Sequence, residues 1–106
     1  MDCIFCKIRD KAVPATMLYE DDRVMAFNDI HPKAPIHQLI VPKQHIETLN
    51  DLGDTELAGH MLLVAATLAK QAGVADYGYR VVLNCNKGGG QEIYHIHLHL
   101  TASKPS

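Results

Sequence analysis

Residues 94–106 read YHIHLHLTASKPS, in which His95, His97 and His99 alternate with Ile96, Leu98 and Leu100. Seven histidines occur in 106 residues, so this one strand-like stretch holds an outsized share. Successive side chains of a strand point to opposite faces. The spacing therefore predicts Ile96, Leu98 and Leu100 in the core and three imidazoles sharing the other face. Three chemistries fit such a row. A half-buried strand with a wet histidine face accounts for one imidazole better than for three in register. A His-x-His pair chelates a metal, but the whole row spans roughly 13 Å between outer Cα atoms. One zinc ion with bonds of about 2.0–2.1 Å could not take all three, so a further ligand such as His37 or His45 would be needed. The third chemistry is nucleophilic attack on phosphorus. Neutral imidazole attacks well near pH 7, and its neighbours can bind phosphate oxygens and pass protons.

The preceding loop, KGGGQE, suits the third chemistry. Gly88, Gly89 and Gly90 allow backbone N–H groups to turn inward as an anion-binding concavity. A second cluster, Cys3-x-x-Cys6, carries half of a zinc site's ligands, and the others must come from far along the chain. The competing reading is two reduced cysteines beside a helix. A thioredoxin-like redox role fits poorly, because this C-x-x-C does not follow a strand of a βαβ unit. Cys85 reads as a buried, inert thiol, and His31 and His60 read as solvated.

The elements that must position these residues are few. CIFCKIRDK predicts a short helix with Ile4, Phe5 and Ile8 on one side and Pro14 beyond its end. MLYED and RVMAFND predict strands around an Asp21-Asp22 turn, IHPKAP a proline-bounded loop, and HQLIVPK a further strand. Thr55–Ala72 is the main helix, with Asp54 as N-cap and Gly73 ending it. Leu57, Met61, Val64 and Leu68 recur at helical spacing, while Leu62, Leu63, Ala65, Ala66 and Ala69 widen the stripe almost all round. Such a helix is covered on more than one side, and in so small a chain the second cover is expected to be another subunit. GYRVVLNC and YHIHLHL complete an α+β fold with a mostly antiparallel sheet.

At 106 residues the chain predicts one domain, 1–106, whose small core calls for support from a metal, a partner or both. A net charge of −2 without a Lys/Arg run argues against general nucleic-acid binding. No apolar run is long enough to span a membrane. MDCIFCKIRD lacks the apolar core of an export signal, so a cytoplasmic location is expected.

From Ile4 to Leu100 the chain resembles the histidine-triad (HIT) superfamily, and most closely its Hint branch of purine nucleoside phosphoramidases. The resemblance is carried by IFCKI, AFNDI, APIHQLIVPKQHI, GYRVVLNCN and GGQEIYHIHLHL, in that order. It implies a homodimer with one sheet continuous across both subunits and the long helix at the interface. It also implies a purine nucleotide or nucleoside phosphoramidate as ligand, attacked at phosphorus by His97 to give a nucleotidyl-histidine that water hydrolyses. His99 would bind phosphate and handle protons, and His37 would complete the cluster. Asn84 would lie near the phosphate and leaving group. Gly90 and Gln91 would offer backbone N–H groups. Glu92 stands where some relatives have Ser, so its N–H would serve while its carboxylate turned away. Asp29 would hold the ribose hydroxyls, and Ile4, Phe5, Phe27 and Ile30 the purine.

The same resemblance implies a structural zinc on Cys3, Cys6, His45 and His95, with no metal needed for the chemistry. Where Hint relatives continue with Gly-Gly-Arg and a longer tail, this chain reads TASKPS. That departure predicts an altered leaving-group preference and a weaker dimer. A dinucleoside polyphosphate hydrolase, a nucleotide-binding adaptor and a zinc hydrolase are the other readings.

Overall fold

The computed structural model describes residues 3–103. Residues 1–2 of the stretch read against an export signal, and 104–106 of the tail, lie outside the described residues. The elements are α1 (Ile4–Arg9), β1 (Tyr19–Glu20), β2 (Val24–Asn28), β3 (Ile36–Pro42), α2 (Thr55–Gln71), β4 (Arg80–Val82) and β5 (Leu98–Ala102). The strands form one antiparallel sheet in the order β1-β2-β3-β5-β4. The architecture is the α+β arrangement expected.

Local chemistry sets the element ends. Asp21 Oδ1 accepts from the N–H groups of Arg23 and Val24, both at 2.8 Å, and so closes the β1–β2 turn. Asp54 caps α2 by accepting from Leu57 N–H at 3.0 Å. Gly73, with φ of 77°, supplies the left-handed residue that ends the helix.

The two faces of the sheet carry separate cores. On one, Ala26, Ile40, Leu98 and Leu100 pack against Leu57, Met61, Val64, Ala65 and Leu68 of α2. On the other, Met25, Phe27, Leu39 and Val41 pack against Phe5 and Ile8 of α1. Ile4 lies outside that packed side and is exposed. Because α1 is short, it covers only the β2–β3 half of its face and leaves the β5–β4 half open.

Two differences from the expected strands matter for the site. Regular pairing of β5 begins only at Leu98, opposite Ile40, so His95 and His97 precede the ladder. The segment before it is tied elsewhere, with Ile96 N–H donating to Ile46 O at 2.8 Å. The alternation nevertheless persists, and Ile96, Leu98 and Leu100 are all buried in the α2 core. The imidazoles, however, do not occupy a wet face: His95 and His97 are themselves buried. On α2, Leu62 and Leu63 remain 55% and 69% exposed. No helix among the described residues is long and apolar enough to cross a membrane.

Candidate functional site

The sheet register lays out the floor of a cleft in two rows. Phe27, Leu39, His99 and Val82 face one another across β2, β3, β5 and β4. Two residues along, His37, Thr101 and Arg80 form a second row on the same face. Asp29 N–H donates to His37 O at 3.0 Å and brings Asp29 to the end of that row. All of these residues line a cavity of 1190 Å³, together with Ile4, Phe5, Ile30, Asn84, His97 and the Gly90–Ile93 segment. Apolar Phe5, Ile8 and Phe27 wall one end, and the imidazoles occupy the middle. Ile30 lines the mouth but is 85% exposed.

Hydrogen bonds fix the imidazole tautomers one by one, because a carbonyl only accepts and a backbone N–H only donates. His97 Nδ1 lies 2.8 Å from the carbonyl oxygen of His95, so the ring carries its proton there and keeps a lone pair on Nε2. Lys33 N–H donates to His37 Nδ1 at 3.1 Å, which puts the His37 proton on Nε2. That proton points to His99 Nδ1, 2.9 Å away, and leaves His99 protonated on Nε2. One ring is thus prepared as a nucleophile and its neighbour as a proton donor.

Burial supports the neutral forms. It pushes the His97 pKa below the ordinary imidazole value, against the opposing bond to the His95 carbonyl. It lowers His99 to about 4, with further help from the nearby His97 and His37 rings. Phe5 stands edge-on to the His97 ring, with centroids 5.0 Å apart, and contributes to this apolar enclosure.

The glycine loop differs in detail from the expected cradle. Gly90 N–H donates to Lys87 O and Gln91 N–H to Asn86 O, so two of the three expected donors are used within the loop. The hydrogen bonds of the described residues leave the N–H groups of Glu92 and Ile93 without partners. The Gln91 side chain instead braces the turn: Oε1 accepts from Asn86 N–H at 2.8 Å, and Nε2 donates to Glu47 O at 2.7 Å. Asn84 lines the cleft while its amide donates to Gly89 O at 2.8 Å. Glu92 is exposed.

Cys3, Cys6, His45 and His95 come together at the other end of the imidazole row, with ligand atoms all within 4.8 Å of one another. His95 Nε2 donates to Pro42 O at 2.7 Å, which leaves a lone pair on Nδ1. That atom lies 3.2 Å from His45 Nδ1, 3.3 Å from Cys3 Sγ and 3.7 Å from Cys6 Sγ. Burial and the adjacent Cys3 push the Cys6 thiol above its ordinary pKa. Two thiolates and two imidazole lone pairs aimed at one point fit a metal cation, which would neutralise the sulfurs and replace the thiol protons. Pro42 O acts behind a ligand, holding the His95 ring in the coordinating tautomer.

Some positions were misread or missed. Cys85 is half-buried rather than buried. His60 is not simply solvated, since its Nε2 lies 2.5 Å from Asp21 Oδ2 and braces the β1–β2 turn against α2. The backbone donor of Lys33 and the Gln91 brace carry no side-chain signature. Pro32 and Pro35, which bound the Lys33 turn, were the available clue to the first.

Comparison with known proteins agrees with this geometry. The HIT domain family matches residues 10–106. The chain is 46% identical over 106 residues to the purine nucleoside phosphoramidase of Escherichia coli K12, covering 98% of this chain and 89% of that protein. It is 43% identical over 101 residues to Protein HitA of Neisseria gonorrhoeae, covering 93% and 94% of the two. A HIT family hydrolase from Legionella pneumophila Philadelphia 1 superposes with a TM-score of 0.94 at 50% identity, over 98% of this chain and 95% of that one. A histidine triad protein from Clostridium difficile superposes with a TM-score of 0.93 at 47% identity, over 100% and 94%.

Proposed function

The chain belongs to the HIT domain family and is a hydrolase homologous to purine nucleoside phosphoramidase, and from that premise we propose that it cleaves the P–N bond of purine nucleoside 5′-phosphoramidates through a covalent intermediate on His97. The observation that carries this reading is the His97 tautomer. With Nδ1–H held by the His95 carbonyl, Nε2 offers its lone pair to phosphorus.

The steps follow from the neighbouring groups. The base lies among Ile4, Phe5, Phe27 and Ile30, with the ribose hydroxyls on Asp29. The phosphate lies over His97 and His99, where the open N–H groups of Glu92 and Ile93 meet its oxygens. Asn84 faces the departing group, and Gly90 and Gln91 hold the loop in place. His97 Nε2 bonds to phosphorus, the P–N bond breaks, and the amine leaves with a proton taken from His99 Nε2. His37 donates to His99 Nδ1 and so keeps that proton on the side facing the phosphate. Water then attacks phosphorus and gives a proton to His99 Nε2 as the P–Nε2 bond breaks, releasing the nucleoside monophosphate and restoring neutral His97 and His99.

The Cys3–Cys6–His45–His95 cluster is read as a structural zinc site that ties α1 to the sheet, and so seats Phe5 beside His97. Leu62 and Leu63 are read as the face of α2 that meets a second copy of the chain. A second reading, hydrolysis of dinucleoside polyphosphates, is favoured only by the large cleft. Initial rates on a phosphoramidate and on a dinucleoside polyphosphate separate the two.

The direct test is mass spectrometry of protein quenched during turnover of adenosine 5′-monophosphoramidate. The expected result is an adenylyl adduct on His97, absent from His97→Ala. Full activity in His97→Ala would overturn the assignment.

A further inference from the structure

Cys3 and Cys6 sit within one helical turn at the start of α1. Cys3 is the N-cap, and its carbonyl oxygen accepts from Lys7 N–H at 3.0 Å. Its Sγ accepts from Cys6 N–H at 3.4 Å. Residues three apart on a helix share a face, and helical rise and radius put their Cα atoms about 5 Å apart. A disulfide spans roughly 4.4–6.8 Å between Cα atoms, so the pair can close within the turn. Both residues are free thiols.

The other two members of the cluster lie elsewhere in the fold. His45 follows β3, and His95 precedes β5. His45 Nδ1 lies 3.3 Å from Cys6 Sγ, and His95 Nδ1 lies 3.3 Å from Cys3 Sγ. Every link that a shared metal ion makes between α1 and these segments therefore passes through the two sulfurs. A Cys3–Cys6 bond uses both sulfurs and is local to one turn. It exchanges a cross-link between distant segments for a bond that joins α1 only to itself. Packing of Phe5 and Ile8 remains, as does the bond from Arg9 Nη1 to Lys43 O at 2.8 Å.

The sulfurs can be reached, and what they hold is a wall of the catalytic cleft. Cys6 is half-buried. A second cavity, of 350 Å³, is lined by Cys3, His45 and Tyr94, and also by Ile4, Glu92 and Ile93, which line the catalytic cleft as well. Ile4 and Phe5 lie between the two cysteines in the chain and belong to the apolar wall assigned to the base. Loosening α1 therefore loosens that wall, whereas His97 and His99 stay with the β5 segment.

We propose that Cys3 and Cys6 are a reversible, peroxide-sensitive modification site, at which a disulfide expels the zinc, unties α1 and weakens nucleotide binding. The proposal rests on the structural zinc reading of the cluster. One thiolate sulfur attacks a peroxide oxygen, the O–O bond breaks and hydroxide leaves, giving a sulfenic acid. The second sulfur attacks the first, the S–S bond forms, the S–O bond breaks, and a second hydroxide leaves. The two hydroxides take up two protons as water, and the peroxide gains the two electrons that the sulfurs lose. A thiol reductant reverses the modification. The pair passes no electrons to a substrate, which separates this role from thioredoxin chemistry.

The experiment treats zinc-loaded wild type and Cys85→Ser with hydrogen peroxide. In the variant, Cys3 and Cys6 are the remaining cysteines. Zinc release is followed with a chromogenic chelator, the tryptic peptide of residues 1–7 by mass, and binding of adenosine 5′-monophosphate by calorimetry. The expected result is one zinc released per disulfide formed, with the peptide lighter by two hydrogens. The nucleotide dissociation constant should rise roughly 5- to 100-fold, in the usual range of coupling between sites. Circular dichroism should still show folded protein, and dithiothreitol with zinc should restore the affinity. Zinc retained under peroxide, no disulfide, unchanged nucleotide affinity or loss of the fold would each overturn the switch while leaving the zinc reading intact. Protein that holds no zinc before oxidation would overturn both.

Discussion

His37 Nε2 and His99 Nδ1 lie 2.9 Å apart, although 62 positions separate the two residues in the chain. The bond is directional, because Lys33 N–H already occupies His37 Nδ1. The pair therefore sets which nitrogen of His99 holds a proton. His37 is a positioning residue in this arrangement. Replacing it with Ala should let His99 adopt either tautomer and lower kcat roughly 10- to 100-fold, within the range of general acid–base effects. KM should change little, and His97→Ala should be far more damaging. Steady-state kinetics of the two variants on one phosphoramidate check this, and wild-type kcat in His37→Ala would remove the relay.

The depressed histidine pKa values make stability depend on pH with a definite sign. His95 and His99 are each lowered from 6.5 to about 4, mainly by burial. Above pH 6.5 neither folded nor unfolded chains bind these protons, so the groups leave stability unchanged. Between 6.5 and about 4 the unfolded chain binds them first, and stability falls as pH falls. With His99 discounted for its partial exposure, His95 alone sets a scale of about 2–3 kcal/mol by pH 4.5. That corresponds to a drop in Tm on the order of 10–20 °C by pH 4.5. Asp21, whose carboxyl is held low despite burial by Tyr19, backbone and His60 hydrogen bonds, loses its contribution only at more acidic pH. Calorimetry in chelator from pH 7.5 to 4.5 checks the slope, and a flat profile would show that these rings are not buried neutral.

The four-residue Cys/His cluster predicts one bound metal per chain. Native mass spectrometry of protein prepared with zinc should show it, and Cys3→Ser combined with Cys6→Ser should not. Because the site joins α1 to the sheet, its loss should lower Tm by about 10 °C. Folded protein without the metal should keep kcat within about twofold, since His97 and His99 lie outside the cluster. Undiminished metal in the double variant would place the ion elsewhere.

What could be read from the chain divides by range. Alternation in HIHLHL located the buried set Ile96, Leu98 and Leu100, and the Asp54 cap and Gly73 located α2, because these signals are local. Resemblance also proposed the Cys3–Cys6–His45–His95 grouping, whose members meet in the structure. The fine chemistry was not legible. The tautomers of His37, His95 and His97 are set by a backbone N–H and two backbone carbonyls, which leave no trace in residue type. The expected donors Gly90 and Gln91 are taken for the same reason, as the loop uses them to close itself, whereas the Glu92 N–H, also an expected donor, has no partner among the described residues. The late start of β5 reflects the bond from Ile96 to Ile46, a long-range choice no short window contains.

The remaining prediction concerns α2. Its sheet-facing side is complete, with Leu57, Met61, Val64 and Leu68 buried within the chain. Leu62 and Leu63 project away at 55% and 69% exposure, and half-buried Ala66 lies one turn beyond. Two adjacent leucines left in water on an otherwise well-packed helix fit contact with a second copy. A two-fold interface uses each leucine twice, and full burial of a leucine contributes about 1.5–3 kcal/mol. Leu63→Glu should therefore weaken association more than roughly 100-fold. It should leave the helix and its sheet contacts intact, because no side chain of the α2 core is altered. Sedimentation should show a dimer for wild type and a monomer for the variant at micromolar concentration, with matching circular dichroism. A monomeric wild type would show that this apolar face has another use.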